Sequence, residues 1–207
     1  MDAPPTMETG DKWTFRFHNK GDKREPYTFT NEVKSLDATS AWLLGETQQP
    51  NVPPKYIWRY DLKRAQALER FEHDAAAPNG AGRRMNDFQK NDDSLQFPLV
   101  VGKKFNVKEL WNDGNGYTEY KAEVEAFEKV TVEAGTFDAF RIKYAGWWTR
   151  TAGGTGSGRA ERIRWYAPAV KNVVKGEAFD RTPGNQLWNQ NTSELVKWEP
   201  APKPKSQ

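Results

Sequence analysis

The chain of 207 residues contains no cysteine, which excludes disulfides, thiolate-bound metals, iron–sulfur clusters and cysteine nucleophiles together. That absence leaves the compartment open, because exported and cytosolic proteins both occur without cysteine. Histidine is nearly as scarce. The two present, His18 and His73, lack a third ligand at metal-type spacing and read as solvated side chains. No run of about 18 apolar residues exists, so no transmembrane segment is expected. No stretch repeats its apolar residues at helical spacing over three turns. The nearest, Lys63–Asp74, has room for one helical turn or a short helix. Neither sign of charge dominates, with 31 Lys and Arg against 28 Asp and Glu. The net of +3 is interspersed as on a solvated surface, so no nucleic-acid partner is expected.

What is present is aromatic. Hydrophobic residues make up 36% of the chain and aromatics 13%, with 9 Trp, 7 Tyr and 11 Phe, an aromatic load that a disordered chain would lack. These side chains fall at every second position. Trp13, Phe15 and Phe17 alternate with Thr14, Arg16 and His18, and Tyr27, Phe29 and Val33 continue the pattern after a link carrying Gly21-Asp22. Trp42 with Leu44, then Tyr56, Trp58 and Tyr60, read as further half-buried strands. In the second half, Asn112-Asp113-Gly114-Asn115-Gly116 and Glu133-Ala134-Gly135-Thr136 read as hairpin turns, since Asn and Gly tolerate positive φ. Thr151–Gly158 reads as a flexible hairpin tip, and Arg181–Asn185 joins the last two strands.

The expected fold is all-β, a single antiparallel meander of about ten strands forming a β-barrel or half-barrel. Residues 1–10 are expected as an extended N-terminal tail, 11–199 as one β domain, and 200–207 as a disordered C-terminal tail. Residues 72–96, rich in Ala, Asn, Gly, Asp and Arg, break the alternation and read as a long loop or lid.

Catalytic motifs are weak throughout. Gly154-Thr155-Gly156-Ser157-Gly158 places a serine between glycines, but in a hairpin tip rather than the strand–turn–helix of a nucleophile elbow. The same segment lacks the Lys and following helix of a phosphate-binding loop. Glu123 and Glu125 share one strand face, where carboxylates are ordinarily solubility residues; a hydrolase is a distant reading. Arg159, Arg162 and Arg164 read as a solvated strand face. No enzyme activity and no cofactor is therefore expected.

Neighbours on a strand face opposite sides, so Trp147 and Trp148 cannot both enter one core, nor can Trp165 and Tyr166. A large set of tryptophans fills a barrel core, lines an apolar cavity, or forms an exposed stacking platform, and alternation alone does not choose among these.

Three segments resemble a group of exported bacterial proteins of unknown function. They are Phe97–Phe105, the stretch Val130–Ile142 with its Val-x-Val-x-Ala-Gly-Thr-Phe turn, and Trp165–Lys175 with its Trp-Tyr-x-Pro-x-Val run. The resemblance covers residues 97–198. It departs at Glu133, where that group usually has Pro, and after Val170, where a Gly is often found. It implies a curved antiparallel sheet in the periplasm or on a lipoprotein, broadly similar to the half-barrels of outer-membrane lipoprotein carriers. It transfers no catalytic residue. Met1–Thr6 has neither the basic start nor the apolar run of a signal peptide, so export implies a leader already removed.

Together these readings predict a periplasmic or otherwise exported, non-catalytic binding protein that holds a small apolar or lipid-like ligand on a concave face. Its candidate liners are Tyr56, Trp58, Trp111, Trp147 and Trp165, with 72–96 as the lid. The alternatives are a carbohydrate-binding module using Trp147 or Trp148 with Trp188, and a structural or assembly protein docking through an edge strand. The oligomeric state is not legible.

Overall fold

Alternation becomes twelve strands among the described residues of the computed structural model, which comprise all but 21–24, 51, 112–113 and 204–207. In chain order they are β1 (Lys12–Asn19), β2 (Tyr27–Leu36), β3 (Ser40–Thr47), β4 (Lys55–Asp61), β5 (Gln66–His73), β6 (Ala81–Asp87), β7 (Lys104–Leu110), β8 (Gly116–Val132), β9 (Gly135–Arg150), β10 (Gly156–Ala167), β11 (Asn172–Arg181) and β12 (Leu187–Glu199).

All twelve join one sheet in the order β6-β5-β4-β3-β2-β1-β12-β11-β10-β9-β8-β7, antiparallel at every pairing. Each half of the chain is thus a meander. The halves meet where β1 pairs with β12, from Lys12 opposite Glu199 to Asn19 opposite Asn191. The sheet is not closed, for β6 and β7 are its two edges. Register shifts such as those between Val124 and Ala126 on β8 and between Arg59 and Tyr60 on β4 increase local twist, and a twisted sheet this wide curls on itself. The all-β meander is as expected, with two strands more than the alternation suggested and no closure.

The segment 72–96 differs from its sequence reading. It contains the end of β5, a single 3₁₀ turn at Pro78–Gly80 and the whole of β6, whose polar, small residues conceal an edge strand. The irregular connection is instead 88–103, and it bridges the two sheet edges. The Phe88 amide donates to the Leu68 carbonyl on one side. On the other, the Asp92 amide donates to Lys108 O, while Asp92 Oδ2 and Asn91 Oδ1 accept from the amides of Lys108 and Leu110. Leu95 and Leu99 from this segment are buried. Lys63–Asp74 holds no helix either. Asp61 Oδ1 accepts from the amides of Lys63 and Arg64 in a tight turn, and β5 follows.

Two apolar clusters form the interior. One gathers Trp13, Phe15, Val33, Leu43, Trp165, Val174 and Leu195; the other gathers Leu99, Val107, Tyr120, Val124, Ile142, Tyr144 and Tyr166. The chain ends are docked onto both, Met7 onto the first and Met1 onto the second. Fully buried Asp11 accepts from Lys171 Nζ at 2.7 Å, from the Glu8 amide at 2.8 Å and from the Ala201 amide at 3.0 Å. Residues 1–10 form no strand and are packed against the body: Met7 is buried and the Met1 ammonium donates to Leu99 O. The expected Gly21-Asp22 link, Asn112-Asp113 of the turn before β8, and Pro204–Gln207 of the tail lie outside the described residues.

Candidate functional site

Strand pairing aligns side chains opposite one another, so register defines two faces for the whole sheet. One face carries Phe15, Phe29, Leu43 and Trp58 across β1–β4, and Arg164, Gly176 and Ser193 across β10–β12. Strands far apart in sheet order line the same cavity: Phe29, Leu43, Tyr56, Trp58 and Tyr60 face Arg164, Val173 and Ser193 around about 370 Å³. This face is therefore concave. A second cavity of about 290 Å³ adjoins it, sharing Trp58, Tyr60, Ala67, Arg164, Asn172 and Val173, and is roofed by Phe88, Asn91, Asp92, Ser94 and Leu95 of the 88–103 connection.

The aromatic wall depends on one glycine. Tyr56 lies across Gly45, where a Cβ would stand 1.9 Å from the ring, and no other residue leaves room for it. Trp58 meets Tyr56 edge to face, with centroids 5.8 Å apart, and Phe88 lies 5.9 Å away on the connection. The Arg70 guanidinium sits 4.1 Å from the Tyr56 ring centroid and 5.6 Å from that of Trp58, a cation held by ring faces. Burial raises the Tyr56 phenol, partly offset by Arg70, and raises the Tyr60 phenol strongly. Both hydroxyls stay neutral.

A charged cluster stands beside this wall. Arg162 Nη1 donates to Glu109 Oε2 at 2.6 Å, and Arg164 Nη2 lies 3.8 Å from Glu109 Oε1. All three side chains are about three-quarters covered. Burial opposes ionisation of Glu109, but Arg162 and Arg164 outweigh it and hold the carboxyl below its ordinary value. The arginines also lie over aromatic rings, Arg162 at 5.1 Å from the Tyr120 centroid and Arg164 at 5.3 Å from that of Tyr144.

This corrects the reading of Arg159, Arg162 and Arg164 as one solvated face. Alternation places Arg159 on the convex side, 5.8 Å from Trp147, and the other two on the concave side. The signal lay in Trp165-Tyr166: large apolar residues on both faces of β10 mean that both faces are covered, the arginine face included.

The predicted liners separate in the same way. Tyr56, Trp58 and Trp111 come to the concave side, Trp111 with Phe88, Glu109 and Arg162 around a further opening. Trp148 shares that side near the rim, packed on Trp111 at 6.4 Å and on Trp188 at 6.3 Å, and its Nε1 donates to Arg181 O. Trp188 is exposed. Trp147 and Trp165 are not concave liners, because each is one residue out of phase with the concave set on its strand. Trp165 is buried on the convex side, its Nε1 donating to Glu128 Oε1 at 3.0 Å and its ring packed with Val130, Val132 and Ala139 where the β8–β9 hairpin folds over. Trp147 is 53% exposed above an open convex groove of about 730 Å³. Among the described residues, no group of three or more His, Asp or Glu side chains is placed to hold a metal.

With this geometry in view, the likenesses to other proteins fall into place. Residues 112–187 match the family described as DUF3108-like, inside the region whose motifs resembled exported bacterial proteins. A protein from Bacteroides fragilis, provisionally described as exported and with a YmcC-like fold, aligns over 96% of this chain and 100% of its own at a TM-score of 0.50 and 16% identity. A protein from Parabacteroides distasonis, provisionally described as a lipoprotein, aligns over 96% and 100% at 0.50 and 13% identity. At such identities the likeness is one of fold. No curated protein matches the chain significantly.

Proposed function

We propose that this protein is an exported, non-catalytic binding protein that holds an apolar or lipid-like ligand against its concave face. One observation carries the reading: two adjoining cavities of about 370 and 290 Å³ lie inside the curled sheet, sharing Trp58 and Tyr60, with Phe29, Leu43 and Tyr56 walling the larger. Small-molecule sites are concave, mostly apolar and about 300–1,000 Å³ in size. Each Å² of apolar ligand surface buried there contributes roughly 25 cal/mol. Export is supported by the descriptions of the two fold neighbours. The reading as a binder rather than an enzyme is supported by the engagement of Glu123 with Lys104 at 3.4 Å and of Glu125 with Arg141 at 3.3 Å, which gives both carboxylates a surface ion-pairing role.

Native mass spectrometry of the protein purified from a periplasm, followed by organic extraction, tests it. An acyl species is expected to co-purify, and delipidated protein is expected to brighten an apolar naphthylamine dye. An apo mass with no dye response ends the proposal.

A second reading rests on Trp147, whose exposed indole lies beside Arg159 over the convex groove. A flat ring bordered by polar groups suits stacking on a sugar. A glycan array on the unmodified protein and on Trp147→Ala distinguishes it, since only a convex platform loses binding in that variant.

A further inference from the structure

We infer that the ligand of the concave face is an anionic amphiphile, its acidic head received by Arg164 and its apolar tail laid along Phe29, Leu43 and Trp58. This rests on the binding reading above and names the chemical class of the ligand. Among the described residues, Arg164 is the one charged side chain lining the larger cavity; its other liners are apolar, aromatic, amide or hydroxyl residues. Its nearest carboxylate is already committed, because Glu109 is held at 2.6 Å by Arg162 and stands 3.8 Å from Arg164. Two guanidiniums therefore share one carboxylate. The other acids nearby are also engaged: Asp180 accepts from Asn189 Nδ2 at 2.7 Å, and Asp92 accepts from the Lys108 amide at 2.8 Å.

A second observation is independent of charge. Buried polar atoms ordinarily find partners. Gln66 Nε2 on the wall of the smaller cavity and Arg70 Nε beside Tyr56 are buried donors without a hydrogen-bond partner. A wholly apolar guest leaves these atoms unsatisfied, whereas an acidic head supplies acceptors to the guanidinium and amide donors. In the larger cavity the Arg164 guanidinium and the apolar wall of Phe29, Leu43 and Trp58 separate head from tail.

Calorimetry on the delipidated full-length protein, at submicellar concentration, compares oleate with oleyl alcohol, which share a tail and differ in head charge, and with acetate, which has the head alone. Oleate is expected to bind at least about tenfold more tightly than the alcohol, as charge-assisted hydrogen bonding to arginine implies. Acetate in large excess is expected not to displace it. Arg164→Gln is expected to bring oleate down to the affinity that the alcohol has for the same variant, and Arg164→Lys to restore part of the preference. Equal binding of oleate and alcohol overturns the anionic head but leaves the apolar cavity standing. Binding of neither overturns both. An undiminished oleate preference in folded Arg164→Gln overturns the assignment to Arg164, and displacement by acetate overturns the amphiphile. The wild-type comparison needs no variant, so it decides the head charge even if substitution of Arg164 prevents folding.

Discussion

The Tyr56 ring occupies the space that a side chain on Gly45 would fill: a Cβ there would stand 1.9 Å from Cε2 of the ring. The two residues are paired across β3 and β4, and the missing side chain of one lets the other lie flat along the sheet and meet Arg70. The aromatic wall of the cavity begins at this contact.

Gly45→Ala is therefore expected to destabilise the protein by about 1–3 kcal/mol, the usual cost of forcing extra volume into packed side chains. Chemical denaturation measures it. In a double-mutant cycle, Tyr56→Ala should recover most of the loss, because the clash is with that ring; purely additive effects would contradict the contact.

Glu109→Gln leaves Arg162 and Arg164 without their shared carboxylate. Breaking a buried pair costs about 3–5 kcal/mol, and the residual exposure of these side chains brings the expected loss to about 1–3 kcal/mol. The same variant should bind oleate more tightly than wild type, since it removes the carboxylate that stands 3.8 Å from Arg164. Loss of stability with a gain in anion affinity is the outcome to look for in paired melting and calorimetry experiments.

Leu99 is fully buried, and its amide and carbonyl bond to Met1. Leu99→Ala is expected to cost about 2–5 kcal/mol. Its amide, with that of Asp92, should exchange slowly in hydrogen-exchange measurements. Fast exchange through 88–103 would instead describe a free lid.

Tryptophan truncation should divide by burial. Trp13 is fully buried, donates from Nε1 to Val170 O at 2.7 Å and stacks on Trp198 at 5.1 Å, so Trp13→Ala is expected to cost about 3–5 kcal/mol. Exposed Trp147 should tolerate alanine within about 0.5 kcal/mol. Urea midpoints of the two variants provide the comparison.

Asp37 accepts from the Thr39 amide, the Trp42 indole and the Ser40 amide, which lower its carboxyl from an ordinary 3.8 to about 2. A depressed folded-state value stabilises above the unfolded pKa and is lost as pH falls toward the folded one. The contribution is thus complete above pH 4 or so and disappears towards about 2. Asp37→Ala should flatten the pH dependence of the urea midpoint across that window and leave its slope at neutral pH unchanged.

Much of the fold was legible because a strand's side-chain period is two and the chain writes it in aromatics. Trp13-x-Phe15-x-Phe17 and Tyr56-x-Trp58-x-Tyr60 are β1 and β4, and Gly135 takes the positive φ, 136°, that its turn sequence suggested. The opposition of Trp147 to Trp148 follows from the same period. β6 was not legible, since Ala81–Asp87 lies at a sheet edge and needs no apolar face.

What the sequence by itself determined was local: strand after strand, the turns between them, and which neighbours must part company across the sheet. Which face turned inward was decided by tertiary structure. Pairing of β1 with β12 joins two meanders into one sheet, and the resulting curl makes Arg162 and Arg164 part of an interior and leaves Trp147 outside. Alternation carries no sign. It separates two faces without saying which is concave, and only the meeting of residues far apart in the chain, such as Trp58 and Arg164 lining one cavity, supplies that sign.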